Sequence, residues 1–267
     1  MIRRFSYLVC SLSILVLCST PRAEAQLVDP GTGGVAMGHL HLTVPDLEAG
    51  LAFWHAFGGT SVMNGRLELI QVPGTFVMLR EADPTGGSVG STVNHVGFHV
   101  RDMAAARATW EQAGLEVEDG SRPEQAYLTA PGPVRVEILE DQSLTAPVEM
   151  DHIHFNNSAP AEEVQAWYAK HFGAEPVERG RFAAGNVPGV ALLFSSIDGA
   201  WAPTRGRGLD HIGFEVRDLE AFCEKLEAAG LTFDRPYGLV PGFEKLAIAY
   251  LTDPWGTYIE LTEFLAP

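Results

Sequence analysis

His39, His95, His152 and His211 recur along this chain 56, 57 and 59 residues apart, each near the start of a short apolar run: GHLHLTV, NHVGFHV, DHIHFNN and DHIGFEV. Histidine is the commonest protein metal ligand, so four imidazoles at one repeat position point to metal chemistry. Two carboxylates join them. AYLTAPGPVRVEILED, from Ala126, aligns without a gap with AYLTDPWGTYIELTEF, from Ala249, which places Glu137 on Glu260 and Tyr127 on Tyr250.

A fixed period of this size means one supersecondary unit repeated, here four times. After each histidine strand comes a helical pattern. Asp46, Asp102 and Asp218 stand where N-caps belong, and Gly58, Gly114, Gly173 and Gly230 follow the last helical residues. The third helix reads as Ala161 to Phe172. Runs such as Leu67 to Val72, Phe76 to Leu79 and Val190 to Phe194 follow as strands between Pro and Gly. The unit is β-α-β-β-β. The second and fourth copies share their final strands. The first and third share H-x-H (His39/His41, His152/His154) and a helix ending Phe-Gly. The copies therefore alternate ABAB, as duplication of a two-module domain would give.

Length and charge narrow the field. The chain has 267 residues, 46% of them hydrophobic, and a net charge of −16, enough for two ordinary domains. An acidic chain without a basic run argues against nucleic acid or anionic membrane as partner. Arg3 and Arg4, the apolar stretch Leu8 to Leu17 and Ala23-Glu24-Ala25 read as a cleavable secretory signal over 1–25. The apolar stretch is too short for a membrane span. The expected product is periplasmic or secreted, with no membrane anchor after cleavage. Cys223 alone remains beyond the signal, so no internal disulfide forms. The expected order is an N-terminal segment 26–36, domain 37–142 (modules 1 and 2), linker 143–147 and domain 148–267 (modules 3 and 4).

The four x-His-hydrophobic strands and the LTDPWGTYIEL ending resemble the vicinal oxygen chelate superfamily. That group includes glyoxalase I, fosfomycin-resistance proteins and type I extradiol dioxygenases. The resemblance covers essentially all of the chain beyond the signal. It implies an α+β fold in which paired βαβββ modules form two cups, each around one divalent ion (Fe, Mn, Ni or Zn). Small substrates would chelate the ion through vicinal oxygens. Mapped onto this sequence, the resemblance implies one ligand set of His152, His211 and Glu260, and a second, weaker one of His39, His95 and Glu137, where Pro131-Gly132-Pro133 replaces the Pro-Trp-Gly turn. Glyoxalase I adds a last-strand carboxylate from both modules of a site; Met78 and about Leu192 stand there instead. That departure favours a dioxygenase-like or fosfomycin-type ligand set over that of glyoxalase, and the ligand set leans weakly to dioxygenase-like chemistry. Tyr250 matches a second-sphere tyrosine of the dioxygenases, and His154 or His41 would supply the base that those enzymes keep in a middle strand. A glyoxalase-like isomerase or lyase, and a non-catalytic binder of the bleomycin-resistance type, remain as alternatives.

His99 shares a face with a candidate ligand and reads as a cup-lining residue. His55 and His171 lie late in helices, where positive charge suits the dipole. Trp54, Trp110 and Trp167 read as helix-on-sheet packing, and Trp255 as a turn residue at a cup rim.

Overall fold

The computed structural model describes residues 27–267; the expected signal segment lies outside them. Among the described residues no helix is long and apolar enough to cross a membrane. The four modules are present as read. Module 1 runs β1 (Val35–Val44), α1 (Leu47–Phe57), β2 (Thr60–Asn64), β3 (Leu67–Val72) and β4 (Thr75–Glu81). Module 2 comprises β5 (Val93–Val100), α2 (Met103–Gln112), β6 (Glu118–Asp119), β7 (Gln125–Ala130) and β8 (Val134–Glu140). Module 3 comprises β9 (Val148–Asn157), α3 (Ala161–Phe172), β10 (Glu175–Arg179), β11 (Phe182–Val187) and β12 (Val190–Ser196). Module 4 comprises β13 (Leu209–Val216), α4 (Leu219–Ala228), β14 (Arg235–Leu239), β15 (Ala247–Thr252) and β16 (Tyr258–Glu263).

Local chemistry accounts for the helix limits. Asp46, Asp102 and Asp218 each accept a hydrogen bond from a backbone N–H in the first turn, satisfying a donor that has no partner inside the helix. Gly173 ends α3 in the left-handed conformation, at φ 70°, which costs glycine little.

The fold class is the α+β expected, with two mixed eight-stranded sheets, but the modules pair differently from the expectation. One sheet runs β14-β15-β16-β13-β1-β4-β3-β2 and the other β10-β11-β12-β9-β5-β8-β7-β6. Module 1 therefore completes its sheet with module 4, and module 2 with module 3. We call these the outer and inner cups. The division into domains at 37–142 and 148–267 is replaced by a nested one. An alternating ABAB chain satisfies either pairing, because each sheet needs only one module of each kind. The segment 141–147 joins β8 to β9 within the inner sheet.

The sheets meet over one continuous apolar core that includes Trp54, Phe98, Trp110, Tyr168 and Phe214. Phe57 of α1 stacks on Trp110 of α2, with ring centroids 5.4 Å apart, although the two belong to different sheets. The Pro131-Gly132-Pro133 turn lies at this junction, where a side chain on Gly132 would overlap the Thr43 carbonyl. Its divergence is thus a packing feature between the cups. Tyr168 on α3 donates to Asp253 at 2.8 Å. Asp253 also accepts from the backbone of Trp255 and Thr257 in the β15–β16 turn. One buried carboxylate therefore ties an inner-cup helix to an outer-cup turn.

Candidate functional site

Strand alternation separates core from site. Along β1, Leu40 and Leu42 face the core, so His39 and His41 face the opposite side. Between sheet halves, β1 runs antiparallel to β13, pairing His39 with Gly213 and His41 with His211. In the inner sheet, Gly97 pairs with His152 and His95 with His154. A Cβ on Gly213 would overlap the His39 imidazole, and one on Gly97 the His152 imidazole. The glycines make room for the rings.

The last strands add the carboxylates, since Glu260 pairs with Gly213 and Glu137 with Gly97. In the outer cup, Glu260 Oε2 lies 2.9 Å from both His39 Nε2 and His211 Nε2. In the inner cup, Glu137 Oε2 lies 2.9 Å from His95 Nε2 and 3.2 Å from His152 Nε2. All six residues are buried. The six side chains singled out in the sequence are those brought together, but their grouping differs. His152 does not join His211 and Glu260, and His39 does not join His95 and Glu137. The sheet pairing exchanges the first-strand partners, so each cup is built from both halves of the chain.

The remaining assignments follow the same exchange. His154 lies in the inner cup, away from Tyr250, and its Nε2 approaches Ser195 Oγ at 2.8 Å. Of the two candidate bases, it is His41 that lines the same cavity as Tyr250. Met78 pairs with His41, as the lack of a second carboxylate requires; in the inner cup that place belongs to Leu193, opposite His154, not to Leu192, which is wholly buried in the core. His99 approaches Asp151 at 3.5 Å. His55 contacts Ser61, and His171 packs against Trp167. Trp54 and Trp110 are core residues, and Trp255 packs edge-on against Trp167.

Two carboxylates that sequence reasoning overlooked stand directly before ligand candidates. Asp210 Oδ1 lies 2.6 Å from His211 Nδ1, and Asp151 Oδ2 lies 2.8 Å from His152 Nδ1. Arg80 and the Gly206 N–H hold Asp210, while Arg179 holds Asp151 at 2.7 Å. The repeated Asp-His dipeptide was the available signal. Burial would lower the pKa of His211 and His152, but their flanking carboxylates outweigh it and raise both. Burial would raise Glu260 and Glu137; the histidine contacts outweigh it and hold both well below the carboxylate range. His41 and His154 are pushed down to about 3, chiefly by burial and then by neighbouring histidines. They are neutral imidazoles.

The donor set fits a divalent cation. Asn94 Oδ1 can only accept, so His95 Nδ1, 2.9 Å away, donates to it. In the neutral ring this leaves the Nε2 lone pair facing a carboxylate oxygen, an opposition that a cation between them resolves. In the outer cup, one ligating atom from each of His39, His41, His211 and Glu260 falls within a 4.8 Å span. A cavity of about 490 Å³ opens beside it, lined in part by Arg80, Arg205, Arg235, Tyr250 and Tyr258.

Residues 149–261 match the model of the Glyoxalase/Bleomycin resistance protein/Dioxygenase superfamily. Glyoxalase I from Zea mays shares the fold with a TM-score of 0.68 at 16% identity, over 86% of this chain and 92% of that one. A candidate dioxygenase from Bacillus subtilis gives 0.58 at 15% identity, over 85% of each. A lactoylglutathione lyase from Pseudomonas aeruginosa is 39% identical over 57 residues, 21% of this chain; the matched stretch spans 30% of that relative. Modules 3 and 4 are thus similar to that superfamily, and the described chain shares the fold of glyoxalase I.

Proposed function

We propose that this protein is a metal-dependent enzyme of the superfamily, acting on a small substrate that presents two neighbouring oxygens. The observation that carries this reading is the convergence of His39, His211 and Glu260, all buried, with each histidine Nε2 2.9 Å from Glu260 Oε2, beside a cavity of small-molecule size. A divalent ion bound there would supply Lewis acidity and a template for the two oxygens. The other steps fall to the chain's own side chains. His41, neutral and on the cavity wall, is placed to hydrogen-bond substrate. Burial first, then Glu260, keeps the Tyr250 phenol protonated, so it donates a hydrogen bond to developing negative charge. Tyr250 stacks on Tyr258 at 5.2 Å and meets His211 edge-on at 5.5 Å, which fixes the ring.

One carboxylate per cup, with Met78 and Leu193 where a second would stand, supports dioxygenase-like chemistry. The stretch of identity to a lactoylglutathione lyase favours a second reading, a glyoxalase-like lyase or isomerase. Anaerobic reconstitution with iron, manganese, nickel or zinc, followed by an oxygen-uptake screen over catechol-type substrates and a hemithioacetal assay, separates them. Bound metal with oxygen uptake supports the first, and turnover without oxygen supports the second. A chain that takes up no metal is a binding protein, and the enzymatic reading then fails. The signal-like segment 1–25 supports a periplasmic or secreted location. Fractionation of cells making the full chain tests that.

A further inference from the structure

We propose that the two centres are unequal, the inner cup binding metal more tightly than the outer, and that Asn94 is a positioning residue responsible for the difference. This rests on the metal-dependent reading above and adds a ranking that the ligands alone do not give.

The two cups have matching first donors and unmatched support behind them. In the inner cup each donor is held from behind. His95 Nδ1 is fixed by Asn94 and His152 Nδ1 by Asp151, which Arg179 anchors. The free oxygen of Glu137, Oε1, accepts from Gln125 Nε2 and, at 3.2 Å, from the Tyr127 hydroxyl. In the outer cup His211 has such a partner, Asp210, and Tyr250 faces Glu260 as Tyr127 faces Glu137. His39 follows Gly38, and its Nδ1 is buried without a hydrogen-bond partner. Nothing larger than glycine fits there, because a Cβ on Gly38 would lie 2.9 Å from the Glu215 backbone nitrogen. Ile248 stands where the aligned final strands place Gln125, so no amide holds Glu260 from that position.

A second hydrogen bond fixes which ring nitrogen carries the proton, aims the other and makes it a better donor; removing such a partner costs about 10–100-fold in metal affinity. His39 must carry its proton on the unpartnered Nδ1 whenever Nε2 ligates. His95 hands that proton to Asn94. His41 and His154 each place a further nitrogen beside their own cup, with His154 Nε2 also meeting Ser195, so these two residues do not rank the centres. His41 lies on the cavity wall, where substrate exchanges, so the less constrained ligand set and the open cavity coincide.

The experiment titrates the metal-free full chain with Zn(II) against a chromophoric chelator, in wild type, Glu137→Ala, Glu260→Ala, Asn94→Gly and Asn94→Asp. Two classes of site are expected, at least tenfold apart, with the tight class retained in Glu260→Ala and lost in Glu137→Ala. Asn94→Gly should weaken the tight class about 10–100-fold and leave the weak one unchanged. Asn94→Asp, which keeps the acceptor, should restore it. In the Glu260→Ala background, the Co(II) visible spectrum should change with Asn94→Gly and return with Asn94→Asp. Loss of the tight class in Glu260→Ala, equal affinity at both cups, or wild-type binding by Asn94→Gly overturns the inference alone. Absence of metal binding at both cups overturns the functional reading as well.

Discussion

His39 and Glu260 are 221 residues apart in the chain and 2.9 Å apart in the fold. The contact exists because β1 and β13 are neighbours in one sheet, and it defines which side chains share a centre. His39→Ala and Glu260→Ala should therefore each remove the same equivalent of metal, and the double variant should remove no more. His152→Ala combined with Glu260→Ala should remove both. Metal analysis after gel filtration reads the outcome. If the His152→Ala, Glu260→Ala pair lost a single equivalent, the nested pairing would be wrong.

The repeat, the βαβββ order, the capping aspartates and all six buried ligand candidates were legible from spacing and residue type. Their partnership was not. Periodicity reports what each module contains, whereas pairing depends on which first strands lie side by side, and the ABAB order is compatible with both arrangements. Register was a smaller loss of the same kind: a displacement of one residue moves a side chain to the other face, and so Leu193 takes the place read as Leu192. Asn94, Asp151 and Asp210 act through contacts one residue away, visible only once the ring orientations are known.

Gly213 stands against the His39 ring with no room for a methyl group. Gly213→Ala should push that imidazole off Glu260 and abolish metal binding in the outer cup, while the inner cup keeps its equivalent. Gly97→Ala should do the converse through His152. Metal stoichiometry with a thermal melt checks both. A fully loaded Gly213→Ala protein would show that the ring has another place to go.

Tyr250 faces Glu260 directly across the antiparallel pair β15 and β16. Tyr250→Phe keeps the ring stacked on Tyr258 and removes only the hydroxyl. With the substrate found by the reconstitution screen, kcat should fall about 10²–10³-fold, at unchanged metal content. Wild-type turnover in the Phe variant would make Tyr250 a packing residue.

Glu215 gives a pH dependence separable from the metal chemistry. Burial, outweighing the Thr262 and backbone hydrogen bonds, raises its carboxyl from 4.5 to about 7. Thr262 Oγ1 donates to one oxygen at 2.6 Å and the Leu265 N–H to the other at 3.3 Å. An acid raised in the folded state binds its proton more tightly there than in the unfolded chain, so stability falls as pH rises between those two values. The cost is absent below about 4.5 and fully present above about 7. Glu215→Gln removes the ionisation and keeps an oxygen to accept from Leu265. It should leave unfolding free energy nearly unchanged at pH 4.5 and raise it on the order of 1–3 kcal/mol at pH 8, the scale that a shift of this size implies. Urea unfolding of both proteins at the two pH values measures the difference. An equal effect at both would mean that Glu215 acts through packing rather than charge.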